Sequence, residues 1–277
     1  MRKINILFWV FILMLSFPLK SFSQLGWFFQ NSGTSSDLRS IRFYNSNTAW
    51  VAGWTPYILK TTNGGINWVS IYSGNSTNYQ SLYFVDQNTG WVVGGNGTII
   101  KTTNGGNNWF NQNSGVSNLL MYVDFINNQT GWTVGYSGIA LKTTNGGNNW
   151  FSMNSGTGNN LLCVYFLNEN LGFISGDYGT IKRSTNGGTT WNTITTPLTY
   201  NLDKFFFIDI NTGWVSGING TILKTTNSGV NWLFTYTGVT TWITAVHFFD
   251  IYTGYACGGD YSSPNGGIIL KSVNGGI

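Results

Sequence analysis

A fixed internal period of 41 residues constrains this chain more than any other feature. Five segments mark it: TTNGGINW at 61–68, TTNGGNNW at 102–109 and again at 143–150, STNGGTTW at 184–191, and TTNSGVNW at 225–232. Their closing tryptophans are Trp68, Trp109, Trp150, Trp191 and Trp232, each 41 residues from the last. A second marker keeps the same interval: Trp50, Trp91, Trp132, Phe173, Trp214 and Tyr255. A third is glycine, at Gly53, Gly94, Gly135, Gly176, Gly217 and Gly258. Three registers held over most of the chain define a repeat architecture.

Each unit reads as four short strands. In the second unit these are 80–85 (QSLYFV), 91–94, 98–103 (TIIKTT) and 107–112. They are separated by the turns DQNTG, GNG and NGG, whose Gly and Asn residues tolerate positive φ. Alternation in 80–85 puts Leu82 and Phe84 on one face, Tyr83 and Val85 on the other. Four strands per 41 residues is the blade of a β-propeller, so the chain is all-β. Six blades are expected from 24–277. Trp27 stands 41 residues before Trp68, so 26–29 (GWFF) reads as a fourth strand without its own first three. The last unit stops after its third strand and turn, and carries an insertion at 260–265. The N-terminal strand is therefore expected to complete the last blade and remove exposed sheet edges. The rival expectation is a part of a seven-bladed or larger propeller.

Residues 1–23 differ from the rest. Arg2 and Lys3 precede an apolar run, INILFWVFILMLSF, and Ser21-Phe22-Ser23 offers a small-x-small cleavage site. This layout is that of a signal peptide. The run is shorter than the ~20 residues of a membrane span. The expectation is an exported protein (periplasmic, cell surface or secreted) with a propeller domain at 24–277. The chain has 13 Lys+Arg against 9 Asp+Glu, a net charge of +4. Loss of Arg2, Lys3 and Lys20 leaves 10 against 9, a net of +1. No clustered basic patch for nucleic acid remains. Cys163 and Cys257 read as buried, unpaired thiols without the neighbours of a metal site.

The T-x-N-G-G-x-x-W segment resembles the Asp-box, a turn motif of sialidases, sortilin-type receptors and related propellers, with Asn where Asp is usual. Its expected role is structural. The residues concerned are Asn63 and Trp68, Asn104 and Trp109, Asn145 and Trp150, Asn186 and Trp191, Asn227 and Trp232, and Asn274 with Trp27. The Asn should bond backbone N–H groups two residues on, the glycines allow positive φ, and the Trp packs over the turn. A cation recurs in the third strand: Lys60, Lys101, Lys142, Arg183, Lys224 and Lys271. Its stem is expected to pack along the blade while the charge reaches water or a turn carbonyl.

The combination G-W-x-V-G, then G-T-I-L-K-T-T-N-G-G-x-x-W, is similar to the repeat of the photosystem II stability/assembly factor family. The resemblance covers essentially all of 24–277. It implies a propeller that binds membrane-protein assembly intermediates. Members with the photosynthetic role typically have seven blades, against six units here.

A catalytic set is hard to assemble. Sialidases use three arginines, a Tyr–Glu pair and an Asp. Beyond the leader the arginines are Arg39, Arg42 and Arg183, and Glu169 is the sole glutamate. Glu169 falls in a turn between first and second strands. A glycosidase needs two carboxylates, for which Asp124, Asp177, Asp203 and Asp260 are the candidates. Asp86, Asp209 and Asp250 belong to the repeated turn. The expectation is therefore no enzyme, no cofactor and no metal.

Binding is argued from positions that break the repeat. One first-strand register holds Arg42, Tyr83, Asp124, Tyr165, Phe206 and His247, beside a register of constant Phe. It is expected near the loops that join fourth to first and second to third strands, over the central channel. Its alternative is a set of side chains filling gaps between blades. Aromatics expected on the same face are Trp54, Tyr57, Tyr79, Tyr136, Tyr178, Tyr200, Trp242 and Tyr261. Arg42, Tyr83, Asp124, Tyr165, His247, Trp242 and Tyr200 are the candidate binding residues. Aromatic surface with few charges suits a protein or glycan. The expected partner is an envelope or secreted protein, reached by a monomeric scaffold that meets a membrane only through that partner. The alternative is a carbohydrate-binding or glycoside-hydrolysing propeller.

Overall fold

Why each unit folds as a blade is visible in its second strand. Sequences such as GWVVG are buried along their whole length, which requires cover on both faces. A computed structural model supplies that cover: six antiparallel sheets follow one another in a ring as a β-propeller, each packed on the next from the first to the sixth. The structure describes residues 30–54, 56–72, 77–196, 198–259 and 266–276.

The first blade is β1 (Leu38–Phe43), β2 (Ala49–Gly53), β3 (Tyr57–Thr61) and β4 (Val69–Tyr72). The second is β5 (Tyr79–Phe84), β6 (Gly90–Gly94), β7 (Ile99–Thr102) and β8 (Phe110–Gln112). The third is β9 (Leu120–Phe125), β10 (Gly131–Gly135), β11 (Ala140–Thr143) and β12 (Phe151–Ser152). The fourth is β13 (Leu161–Phe166), β14 (Gly172–Gly176), β15 (Ile181–Ser184) and β16 (Asn192–Thr193). The fifth is β17 (Leu202–Phe207), β18 (Gly213–Gly217), β19 (Ile222–Thr225) and β20 (Leu233–Thr235). The sixth shows three strands among the described residues: β21 (Ile243–Phe248), β22 (Gly254–Gly259) and β23 (Gly267–Ser272). The N-terminal strand expected to complete it, with Trp27, lies outside the described residues, as do the insertion at 260–265 and the leader.

First strands of successive blades touch, from β1 through β21, and so line the channel. A register shift interrupts each first strand near its start, for example between Tyr79 and Ser81. In the fifth blade it is wider, running from Leu202 to Phe205. Such bulges re-aim side chains and recur beside functional sites.

The repeated turn is built differently from its expected form. Thr61 Oγ1 accepts from Gly65 N at 2.9 Å and donates to Asn63 Oδ1 at 3.0 Å. Asn63 Oδ1 accepts from Asn67 N at 3.0 Å, four residues on rather than two. The same pattern recurs around Asn104, Asn145, Asn186 and Asn227. The Thr hydroxyl thus shares the role given to Asn alone. The paired glycines do take positive φ, +70° and +87° at Gly64 and Gly65.

The closing Trp meets its own blade's Phe edge-on: Trp109 on Phe84 at 6.0 Å, Trp150 on Phe125 at 5.9 Å. The second-strand Trp of the preceding blade stacks flat on that same Phe: Trp50 on Phe84 at 3.7 Å, Trp91 on Phe125 at 3.6 Å. Each Phe is therefore held between two indoles. The glycine opposite it, such as Gly90 or Gly131, has no room for more: an added Cβ would lie 2.6 Å or 2.4 Å from the Phe ring. This explains the glycine before the second-strand aromatic in the second to sixth blades. The first blade has Ala49 at that position, paired with Phe43, and Phe43 is 51% exposed.

Blades are also stapled by hydrogen bonds. Trp50 Nε1 and Lys60 Nζ both donate to the Gly105 carbonyl of the next blade's turn, at 3.0 and 2.8 Å. Trp91 and Lys101 do the same at Gly146, Trp132 and Lys142 at Gly187. The recurring cation thus reaches a turn carbonyl, as expected. Asp86, Asp209 and Asp250 accept from backbone N–H groups two and three residues on, and Asn127 does so at the same position. These aspartates are turn residues.

Candidate binding surface on the channel wall

The variable first-strand register sits one residue before the constant Phe. This places it toward the turn joining first and second strands, not at the opposite mouth where it was expected. Its side chains bridge neighbouring blades. The Arg42 guanidinium lies 4.3 Å over the Tyr83 ring. Tyr165 stacks on Phe207 at 5.6 Å, and the Phe206 and His247 rings meet at a tilt, 4.4 Å apart. Asp124 Oδ2 accepts from the Phe166 backbone N–H at 2.7 Å. That N–H belongs to the channel-lining strand of the next blade, where no further strand is available to receive it. The gap-filling alternative therefore describes most of this row.

A second row, nearer the start of the first strands, carries charge that the sequence did not single out for binding. Arg39 lies 4.2 Å over the Trp54 ring. Lys204 lies 3.8 Å over the Tyr122 ring. Asp203, beside Lys204 in the wide bulge of β17, accepts from the Trp242 indole N–H of the sixth blade. Its backbone carbonyl accepts from Ser175 Oγ at 2.7 Å. A signal was available: Lys204 shares a register with Ser40, Ser81, Tyr122, Cys163 and Ala245, and is the one cation there.

The two rows form one electrostatic network. Burial pushes the Asp124 carboxyl up to about 6, against the opposing pull of the Phe166 N–H and Arg42. Burial likewise raises Asp203 to about 6, against the Trp242 bond and Lys204. Lys204 is lowered by burial, which Cys163 and Asp203 partly offset. Tyr165 is pushed up to about 12, by burial and then by Asp124. Burial raises the Cys163 thiol to about 11, which leaves it unreactive at neutral pH. Both cysteines are free, as expected, but Cys257 is exposed. Its equivalents Ser175 and Ser216 are fully covered by the next blade; the corresponding face of β22 is not.

The other candidates are scattered. Tyr200 is exposed on the loop before β17, and its carbonyl accepts from Gly179 N at 2.9 Å. Trp54, Tyr57, Tyr136 and Tyr178 are exposed as expected, while Tyr79 is completely buried in the core between the first two blades. Tyr261 and Asp260 lie outside the described residues. Asp177 accepts from Asn160 Nδ2 at 2.9 Å. Among the described residues the ion pair recorded is Arg39 with Asp37, at 4.0 Å, and no group of three metal-ligating side chains assembles. The wall thus presents Arg39, Arg42 and Lys204 on aromatic faces, while both of its carboxylates are engaged by N–H donors. It is suited to holding a polar ligand with partial or full negative charge against aromatic surface.

The sequence matches the family model for photosynthesis system II assembly factor YCF48 over residues 74–157 and 148–239, more than half of the chain. The chain belongs to the YCF48 family. A solved structure of YCF48 bound to D1 peptide is 17% identical, with 87% of this chain and 93% of that one covered and a TM-score of 0.49. The GH74 xyloglucanase from Xanthomonas campestris is 12% identical over 87% of this chain and 44% of its own, with a TM-score of 0.70. The computationally designed Ika8 protein is 14% identical over 87% and 72%, with a TM-score of 0.68. At these identities the last two show the propeller fold alone. Among curated proteins none matches the sequence.

Proposed function

We propose that this YCF48-family propeller is an exported, non-catalytic scaffold that holds a segment of a protein partner during assembly. The observation that carries this reading is the family match across 74–239. The channel wall supports it: three cations rest on aromatic faces, and Asp124 and Asp203 are occupied by N–H donors. The YCF48 protein in the solved structure holds a D1 peptide. For this chain we take the ligand to be an exposed segment of an envelope or secreted protein. Export rests on the layout of residues 1–23, and a monomeric state goes with the scaffold role.

The test is affinity capture from the cell envelope, with the mature protein as bait beside an Arg39→Ala/Lys204→Met double variant. A protein retained by the wild type and lost by the variant supports the reading and the surface. Equal retention by both overturns the surface. Retention on a glycan array with no specific protein overturns the scaffold reading in favour of a carbohydrate ligand.

A further inference from the structure

Two consecutive residues of the fifth blade stand outside its ladder. Leu202 pairs with Gly217 and Phe205 with Val215, which leaves Asp203 and Lys204 between them in the bulge of β17. Their side chains go separate ways. Asp203 is buried, and its Oδ2 accepts from the Trp242 indole N–H. Lys204 lies 3.8 Å over the Tyr122 ring, and among the described residues it makes no ion pair. The two charges still act on each other: Lys204 favours the ionised Asp203, and Asp203 the charged Lys204.

The elements around them add few charges. Cys163 and Tyr165 come from β13, and Tyr122 and Asp124 from β9. Arg39 of β1 acts on Lys204, and Asp177, in the turn after β14, acts on Asp203. On β21, His247 meets the Phe206 ring. Cys163 lies in the field of Asp124, Asp203 and Lys204 at once, so these groups share one buried space, where charges are weakly screened. Above about pH 6 Asp203 is ionised and offsets part of the field of Lys204; below it that field stands alone. A proton on the other carboxyl oxygen leaves the bond to Trp242 in place. We propose that Asp203 regulates the channel wall: its ionisation balances Lys204, and its protonation frees that charge for an acidic segment of the partner. This rests on the reading of the wall as the ligand site.

The probe is an acetylated hexa-aspartate peptide, whose side chains stay ionised over the range used. Titration calorimetry on the full-length mature protein, at constant ionic strength, runs from pH 7.5 to pH 5.5. Wild-type affinity is expected to rise about tenfold or more on acidification, with a midpoint near pH 6. Asp203→Asn keeps an acceptor for Trp242 and should bind at pH 7.5 about as tightly as wild type does at pH 5.5. A pH-independent affinity that Lys204→Met abolishes overturns the regulation and leaves the wall as the ligand site. An imidazole also gains charge on acidification, so a pH dependence kept by Asp203→Asn and removed by His247→Gln overturns the assignment to Asp203. Binding that is absent at both pH values, or unchanged in Lys204→Met, overturns the wall as the ligand site and the regulation with it.

Discussion

Arg183 donates through Nε to the Ser228 carbonyl at 2.7 Å, and it does so alone. In the first three blades the equivalent carbonyl receives an indole N–H as well as a lysine. The fourth blade has Phe173 in place of that Trp, so the indole donor is gone, and the cation has changed from Lys to Arg. The turn residue has changed too, from Gly to Ser228, at φ +58°. The three departures meet at one junction between the fourth and fifth blades.

Arg183→Ala should therefore cost more than Lys101→Ala. The first leaves the Ser228 carbonyl without its charged donor, at about 1–3 kcal/mol. The second leaves Gly146 still bonded by Trp91 Nε1 at 3.2 Å and Gln112 Nε2 at 3.3 Å, and should cost below about 1 kcal/mol. At about 2–4 °C per kcal/mol, thermal unfolding resolves the two. Equal midpoints would show that the junction does not depend on this bond.

Gly131→Ala should be among the most damaging single-methyl additions. Its Cβ would lie 2.4 Å from the Phe125 ring, and that ring cannot retreat because Trp91 is stacked 3.6 Å behind it. Overpacking of this kind costs about 1–3 kcal/mol. Ala49→Gly is the control: Ala49 already stands at the same register, opposite a half-exposed Phe43, and the substitution should cost about 1 kcal/mol or less. Denaturant unfolding of both variants gives the comparison.

Asp124 makes stability depend on pH in an uncommon direction for a carboxylate. Its folded value of about 6 lies above the ordinary 3.8, so the folded protein holds the proton more tightly than the unfolded chain. The contribution is fully present below pH 3.8 and is lost as the pH rises through about 6, on the order of 2–3 kcal/mol in all. Asp124→Asn keeps an acceptor for the Phe166 N–H and removes the titration. The stability of the wild type relative to Asp124→Asn should fall between pH 4 and pH 7. A constant difference over that range would mean that Asp124 titrates like an exposed carboxylate. Asp203, also raised to about 6, should add a second component that Asp203→Asn removes.

The 41-residue period made the blades legible because each local element repeats with the same chemistry: Gly and Asn at turns, Trp and Phe at fixed registers, a cation before each turn. Positions read from one unit hold in the others. The channel wall was harder to read. Arg39 and Trp54 belong to the first blade, Tyr122 to the third, Lys204 to the fifth and Trp242 to the sixth, and no spacing in the chain joins them; the curvature of the ring does. Tyr79 and Cys257 were misplaced for related reasons. Tyr79 looks like a loop residue in its own unit, yet the bulge at the start of β5 turns it into the core. Cys257 has buried equivalents, but among the described residues its face of β22 is left exposed.

The two rows of the wall make different predictions for binding. Arg42 and His247 are engaged in blade-to-blade ring contacts, with Tyr83 and Phe206, so replacing them should alter stability at least as much as affinity. Lys204 and Arg39 each rest on a single aromatic face, Arg39 with an ion pair to Asp37 at 4.0 Å besides. Lys204→Met keeps the unbranched stem over Tyr122 and removes the charge, which should leave the unfolding midpoint nearly unchanged. For a peptide from the captured partner, loss of a cation that pairs with it should weaken binding by about tenfold or more and flatten the salt dependence of the affinity. Titration calorimetry at two ionic strengths, on wild type, Lys204→Met, Arg39→Ala and His247→Ala, separates the rows. Affinity lost with His247→Ala but kept with Lys204→Met would move the ligand to the first row, toward the turns between first and second strands.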